Sequence, residues 1–237
     1  MPLAFDSIAV PRDRDRRYRI WRTSTECAAA DQTDAFLVLP DALADIVAVF
    51  DAQHLQLIDT VYTGFDLHAV EVTLPRSARF VGVQFGPATY RAAIDIRGSD
   101  RLAARFVDWA RTICRTSAYA RSAPIETAIE RSCDDLLLAV SRQLDRHPHR
   151  NAIHGAARDV GSSLRTVERR FLSVTGVRPI DYTRVLRFHR VVRALTSGGP
   201  DAQLAVDCGY ADQAHMCREV KRICSLTPGR LAARLAA

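Results

Sequence analysis

Arg165, Thr166 and Arg169 lie at helical spacing just after Ser163, and Ala214, Arg218 and Lys221 are spaced alike later in the chain, with Gln213 and His215 beside them. These residue types suit contact with a polyanion rather than bond-breaking. Arginine can take the O6 and N7 of guanine together, and alanine can touch a thymine methyl. A basic, hydrogen-bonding face near the start of a helix is what a major-groove reader needs.

Two segments of one layout must position these residues: HGAARDVGSSLRTVERRFLSVTGVRP and QLAVDCGYADQAHMCREVKRICSLTP. Each has a short apolar helix, a glycine, a few residues, a basic amphipathic helix and then a proline. This is a helix-turn-helix written twice. At about 100° per residue, Leu164, Val167, Phe171 and Val174 form the inner stripe of the first basic helix, and Met216, Val220 and Ile223 that of the second. Arg165, Thr166, Arg169 and Ser173 then face outward in the first copy. Ala214, Arg218 and Lys221 do so in the second, with His215 to one side. Ser163 is the expected cap of the first basic helix. Between the copies, Pro179 opens a long helix whose stretch from about Asp181 to Ser197 measures roughly 25 Å at 1.5 Å per residue. Adjacent major-groove faces repeat at about 34 Å, so such a rod could set two readers on one side of a duplex.

Charge follows the same division. Residues 146–237 hold 16 Lys and Arg against 7 Asp and Glu, a balance of +9, whereas residues 1–145 carry −3. A basic carboxy-terminal part on a slightly acidic amino-terminal part points to two units, the basic one meeting a polyanion. At 48% apolar and 25% charged, the 237-residue composition is that of a soluble globular protein. No apolar run approaches the ~20 residues needed to span a bilayer, and the first residues do not read as a signal peptide, so a cytoplasmic protein is expected.

The amino-terminal half reads differently. YRIWRT, AFLVLP, DIVAVFD, HLQLID, HAVEVTL and RFVGVQF are short, β-branched or aromatic, and partly alternating. They predict an antiparallel β unit of about six strands over 1–97, a small barrel or jelly roll being the candidate form. GSDRLAARFVDWARTIC then predicts a helix with Leu102, Phe106, Trp109 and Ile113 on one side, capped by Ser99 or Asp100. A second helix is predicted from Ile125 to about His147, with Pro124 in its first turn. These two helices, within 98–148, are expected to link the halves and are a candidate dimer contact. The fold class is α+β: an antiparallel β unit, linker helices, and an all-α double helix-turn-helix over 149–237.

The carboxy-terminal part resembles the AraC/XylS family of transcription regulators. The family's second helix-turn-helix reads GY-x-DQ-x-HF-x-R-x-FK-x-x-x-G-x-(S/T)-P. Gly209, Tyr210, Asp212, Gln213, His215, Arg218, Lys221 and Pro228 match it, Met216 and Val220 stand where Phe is usual, and Ser225 stands where Gly is usual. In the first copy Gly161, Ser163, Arg165, Val167, Arg169, Arg170, Phe171, Thr175, Gly176 and Pro179 fit as well. The resemblance implies sequence-specific reading of double-stranded DNA through Arg165, Thr166, Glu168 and Arg169, and through Gln213, Ala214, His215 and Arg218; Ser163 at the cap and Lys221 on the outer face complete the candidate DNA-binding set. Glu168 and Gln213 come from the resemblance alone. RNA polymerase is an implied partner, and a homodimer and an unidentified small-molecule effector are open. LPDALADIVAVFD and VGVQFGPA are similar to segments of the cupin-like amino-terminal domains found in some members, with Ala42 and Ala88 replacing glycines. Such domains sense a ligand or dimerise.

Other chemistry is weaker. Cys27, Cys114, Cys133, Cys208, Cys217 and Cys224 form no CxxC and read as reduced, small buried residues. Cys217 and Cys224 offer a redox-sensing alternative if Arg218 and Lys221 lower a thiol pKa. His147, His149 and His154 straddle a helix end and a proline without an acidic or Cys partner nearby in sequence, so no metal and no cofactor is expected. PRDRDRRYR near the start reads as a solvated run, with an anionic effector as its sharper alternative. His54 and His68 lack the HxH cluster of a catalytic cupin, so a cupin-like enzyme is the weaker rival and no catalytic residue is assigned.

Overall fold

A computed structural model of the chain describes residues 6–8, 18–25, 35–116, 122–149, 151–196 and 202–236. Cys27 and most of PRDRDRRYR lie outside the described residues. The strands are β1 (Asp6–Ile8), β2 (Tyr18–Ser24), β3 (Ala35–Val38), β4 (Ala44–Asp51), β5 (Leu57–Tyr62), β6 (Val70–Thr73) and β7 (Ala78–Phe85). The helices are α1 (Tyr90–Arg97), α2 (Asp100–Thr116), α3 (Ala123–Arg131), α4 (Asp135–Arg146), α5 (Ala152–Asp159), α6 (Leu164–Thr175), α7 (Pro179–Leu195), α8 (Ala202–Asp207), α9 (Gln213–Cys224) and α10 (Pro228–Ala236). The order is α+β as expected: an antiparallel β region followed by helices.

The β region is an open sheet of order β1-β2-β7-β4-β5, all pairs antiparallel, with β3 and β6 forming a separate two-stranded ribbon. Among the described residues the sheet ends in two edge strands, β1 and β5, rather than closing into a barrel. The face that a barrel would turn inward is taken by helices instead. Ile46, Ala48 and Phe50 of β4 and Val81, Val83 and Phe85 of β7 pack against Ala92, Ala93 and Ile96 of α1 and against Phe106, Trp109 and Ile113 of α2. The alternate residues Val47, Val49 and Phe80 are buried on the opposite face, which is why these two central strands read as nearly continuous apolar runs.

The helices after the sheet divide differently from the sequence reading. Of the stripe expected on α2, Phe106, Trp109 and Ile113 are buried on the sheet and Leu102 is half-buried, and Ile125 and Ile129 of α3 join the same core. The single helix expected from Ile125 to His147 is two, α3 and α4. The chain breaks at Ser132–Asp134 because Asp134 becomes the N-cap of α4, its Oδ1 accepting the Leu137 N–H at 3.0 Å. Helix α1 was missed, since its buried side carries two alanines and one isoleucine, a weak apolar signal.

The helical part docks back on the β region. Ala42, Ala44, Phe65 and Ala88 share a core with Leu137, Val140 and Leu144 of α4, Ile153 of α5, Phe171 of α6 and Tyr182 of α7. Tyr90, Phe65, Tyr182 and Phe171 form a file of edge-on rings at 5.0, 6.3 and 5.2 Å, running from α1 to α6. A separate core holds Phe188, Val191, Tyr210, Met216, Val220 and Leu231, with Leu39 and Ala69 of the β region packed on it. The Ala69 N–H donates to the Ile223 carbonyl at 2.8 Å.

Candidate nucleic-acid interface

Each copy builds its turn the same way. In the first, the Gly161 N–H donates to the Arg158 carbonyl at 3.0 Å and the Ser162 N–H to Ala157 at 2.9 Å. In the second, Gly209 donates to Val206 at 2.9 Å and Tyr210 to Ala205 at 2.9 Å. Gly161 and Gly209 take φ of 65° and 84°, the left-handed region in which a Cβ is strained. The second helices of the two copies, α6 and α9, then start from side-chain caps. The Ser163 Oγ accepts the Thr166 N–H at 3.1 Å, and the Asp212 Oδ1 accepts the His215 N–H at 2.6 Å. Capping satisfies one of the free amides at each helix start and fixes where the first turn begins.

The inner stripes are as the periodicity placed them. Val167 and Phe171 of α6, and Met216, Val220 and Ile223 of α9, are buried, while Leu164 and Val174 are half-buried. Outward, Arg165, Glu168, Arg169 and Ser173 of α6 and Gln213, Ala214, Arg218 and Lys221 of α9 are exposed. Among the described residues no carboxylate pairs with Arg165, Arg169, Arg218 or Lys221. Three of the candidates have other work. The hydroxyls of Ser163 and Thr166 meet at 2.8 Å within the cap. His215 is half-buried, its ring edge-on to Tyr210 at 5.4 Å.

Helix α7 joins the copies. It is 17 residues long and opens with Pro179, which needs no N–H partner in a first turn. Tyr182 and Val185 enter the core of the first copy, and Phe188, Val191 and Leu195 enter that of the second. One continuous helix therefore serves as the floor of both helix-turn-helix copies. The Arg190 Nη2 donates to the carbonyls of Asp145 and Arg146 at 3.0 and 2.7 Å, tying α7 to the end of α4.

Two ion pairs at α6 and α9 carried no sequence signal. The Arg170 Nε donates to the Asp134 Oδ2 at 2.5 Å, so this motif arginine is turned toward α4. The Arg187 Nη2 donates to the Glu219 Oε1 at 2.8 Å, between α7 and α9. Their partners lie far apart in sequence, where local pattern does not reach.

Cys224 does not meet the redox requirement. Cys224 is buried, its Sγ–H donates to the Val220 carbonyl at 3.2 Å, and burial pushes its pKa up rather than down. Cys114 and Cys208 are also pushed up by burial. Cys217 is half-buried on α9. His147, His149 and His154 do not converge. His149 Nδ1 accepts the Asn151 N–H at 3.2 Å, and His147 and His154 are exposed. Among the described residues no group of three His, Cys, Asp or Glu side chains is arranged to hold a metal ion, and no helix is long and apolar enough to cross a membrane.

Comparison with known proteins gives one family match, to the model described as "Helix-turn-helix domain", over residues 156–234. No curated protein matches the chain. Among solved structures the chain is similar to ToxT from Vibrio cholerae. A structure of ToxT in a P21 form is 11% identical, with 91% of this chain and 97% of that one covered, at a TM-score of 0.45. A ToxT structure from Vibrio cholerae O395, bound to (E)-4-(8-methylnaphthalen-1-yl)but-3-enoic acid, is 10% identical, covers 98% and 99%, and has a TM-score of 0.44. An unsaturated fatty acid-bound ToxT from strain SCE256 is 11% identical, covers 91% and 94%, and has a TM-score of 0.42.

Proposed function

We propose that this chain, whose carboxy-terminal region carries an AraC-type helix-turn-helix domain, is a sequence-specific DNA-binding transcription regulator and not an enzyme. In this reading α6 and α9 enter two adjacent major-groove segments of one duplex. The observation that carries it is the repetition. Two capped helices, mounted on one rigid α7, each present exposed arginine without a carboxylate partner among the described residues. A solvated charged face on an ordinary bundle has no reason to occur twice with the same turn, the same cap position and the same outward charge.

Arg165, Arg169 and Arg218 are the proposed base readers, with Ala214 and Gln213 at the start of α9, Glu168 beside Arg169, and Lys221 directed to phosphate. Ser163, Thr166 and His215 contribute through the shape of the first turns. The labour divides among a β-rich unit over 1–97, helices over 98–148, and a DNA-binding domain over 149–237. The β unit is the site of control by an effector, a second copy of the chain or another partner. Contact between that unit and both reading units supports this. RNA polymerase is the further partner, and the cytoplasm the place, that such a function requires.

The test is selection of binding sites from a randomised duplex library with Arg169→Ala and Arg218→Ala variants. Each variant is expected to lose preference within its own segment, at a cost of about 1–3 kcal/mol per lost base contact. Unchanged preference in both variants would show that these helices do not read DNA.

A further inference from the structure

The two reading helices are anchored at the same position by opposite charges. Counting from the caps Ser163 and Asp212, Arg170 and Glu219 are equivalent, each just before a buried residue of the inner stripe, Phe171 or Val220. Arg170 is exposed and reaches out to α4. Glu219 is turned inward, its side chain 10% exposed, against an Arg187 side chain that is 5% exposed.

The surroundings of Glu219 form a closed ring of contacts. Arg187 Nη2 of α7 donates to both carboxylate oxygens, at 2.8 and 3.0 Å. Arg184 Nε of α7 and His215 Nε2 of α9 each stand 4.0 Å from Oε2. The Arg187 guanidinium lies 5.0 Å from the ring centroid of Tyr210, and Tyr210 meets the His215 ring edge-on at 88°. The Arg187 Nε has no acceptor among the described residues. His215 sits between Ala214 and Arg218 on the flank of the proposed reading face.

An apolar stripe fixes how closely a helix docks, but it tolerates rotation about the helix axis. A directional, hydrogen-bonded charge pair does not. Buried ion pairs contribute little net stability after desolvation, and their best-attested use is to specify register. At Arg187 the unmatched Nε makes a stability role weaker still.

We infer that, given α9 as a DNA reader, Glu219 is its positioning residue. The pair with Arg187 sets the rotation of α9 on α7, and the Arg187 guanidinium against Tyr210 keeps that ring where His215 meets it edge-on. Ala214 and Arg218 thereby meet base edges at one angle. Glu219 touches no DNA itself, and its effect is on the specificity of the second segment alone.

The experiment uses the full chain, a randomised duplex library scored separately over the two segments, and thermal unfolding. Glu219→Gln keeps the shape and removes the charge. It is expected to lower base discrimination over the segment read by α9 about fivefold to tenfold and to leave the segment read by α6 within about twofold. The apolar pair R187M/E219L is expected to unfold at the wild-type temperature or above and still to lose that discrimination, which separates positioning from stability. A lowered melting temperature with unchanged discrimination, or equal losses in both segments, would overturn the assignment. A wild-type chain without base preference in either segment would overturn the proposed function and this inference with it, whereas a Glu219 variant with wild-type preferences overturns the inference alone.

Discussion

The Asp134 carboxylate joins α4 to α6. One oxygen caps α4 and the other accepts the Nε–H of Arg170 on α6. The Asp134 N–H also donates to the Ala88 carbonyl at 2.9 Å, so the loop after β7 is held at the same residue. Asp134 is 12% exposed and Arg170 55% exposed.

Asp134→Ala removes the cap at a cost of about 1 kcal/mol and releases Arg170 toward a phosphate. The melting temperature is expected to fall. At the same time the salt dependence of DNA binding should steepen by about one phosphate contact. Fluorescence titrations at several salt concentrations check this. A falling melting temperature with an unaltered salt slope would mean that the released arginine does not reach the DNA.

Ser225 ends α9 with φ of 61°, in the left-handed region, at the place where α6 ends in Gly176 with φ of 74°. A left-handed conformation costs an ordinary residue about 1–2 kcal/mol, part of which glycine gives back as extra freedom in the unfolded chain. Ser225→Gly is therefore expected to stabilise the protein by roughly 0.5–1 kcal/mol, seen as a melting temperature a few degrees higher. No gain would mean that the turn is held by its other contacts, among them the Ser225 N–H to Lys221 carbonyl bond at 2.8 Å.

Asp45 gives the β region a pH dependence. Burial, with the Asp41 charge adding to it, pushes its carboxyl up to about 7 from an ordinary 3.8, against a Trp21 Nε1–H bond of 2.7 Å that favours the ion. The folded state thus holds the proton more tightly than the unfolded chain. The stability from this group is complete below about pH 4 and is lost as the pH rises through about 7. Asp45→Asn cannot ionise and retains an oxygen for Trp21. Its melting temperature should exceed that of the wild type at about pH 8, by at most about 4 kcal/mol in stability, and the difference should narrow as the pH falls and close near about pH 4. Parallel melting curves across that range would sink the assignment.

DNA affinity should come largely from arginine and lysine on phosphate. Six such contacts would give a slope of about −5 in a plot of log affinity against log salt, a loss of about a thousandfold between 50 and 200 mM. Lys221→Ala is expected to reduce the slope by about one without changing base preference. A change in preference at a single base pair would make Lys221 a reader instead.

The helix-turn-helix copies were legible in the sequence because their determinants are local. The apolar stripe repeats every turn of helix, glycine marks each reversal, and Ser163 announces a helix start within three residues of the amide it caps. Open-sheet order was not legible, since alternation along a strand says which face is buried and not what buries it. The break between α3 and α4 did carry a local signal, the Asp134 cap three residues before Leu137, but the apolar spacing of Ile129, Leu136, Leu137 and Val140 reads as one continuous helix across it. Glu219 reads from sequence as one more charge on a basic helix. Only the approach of α7 brings Arg187, 32 residues distant, close enough to draw it inward. Periodicity determined which faces of α6 and α9 are apolar and which are basic. The angle at which those faces are held was decided by tertiary structure, because charge pairing depends on distance in space and local pattern contains none.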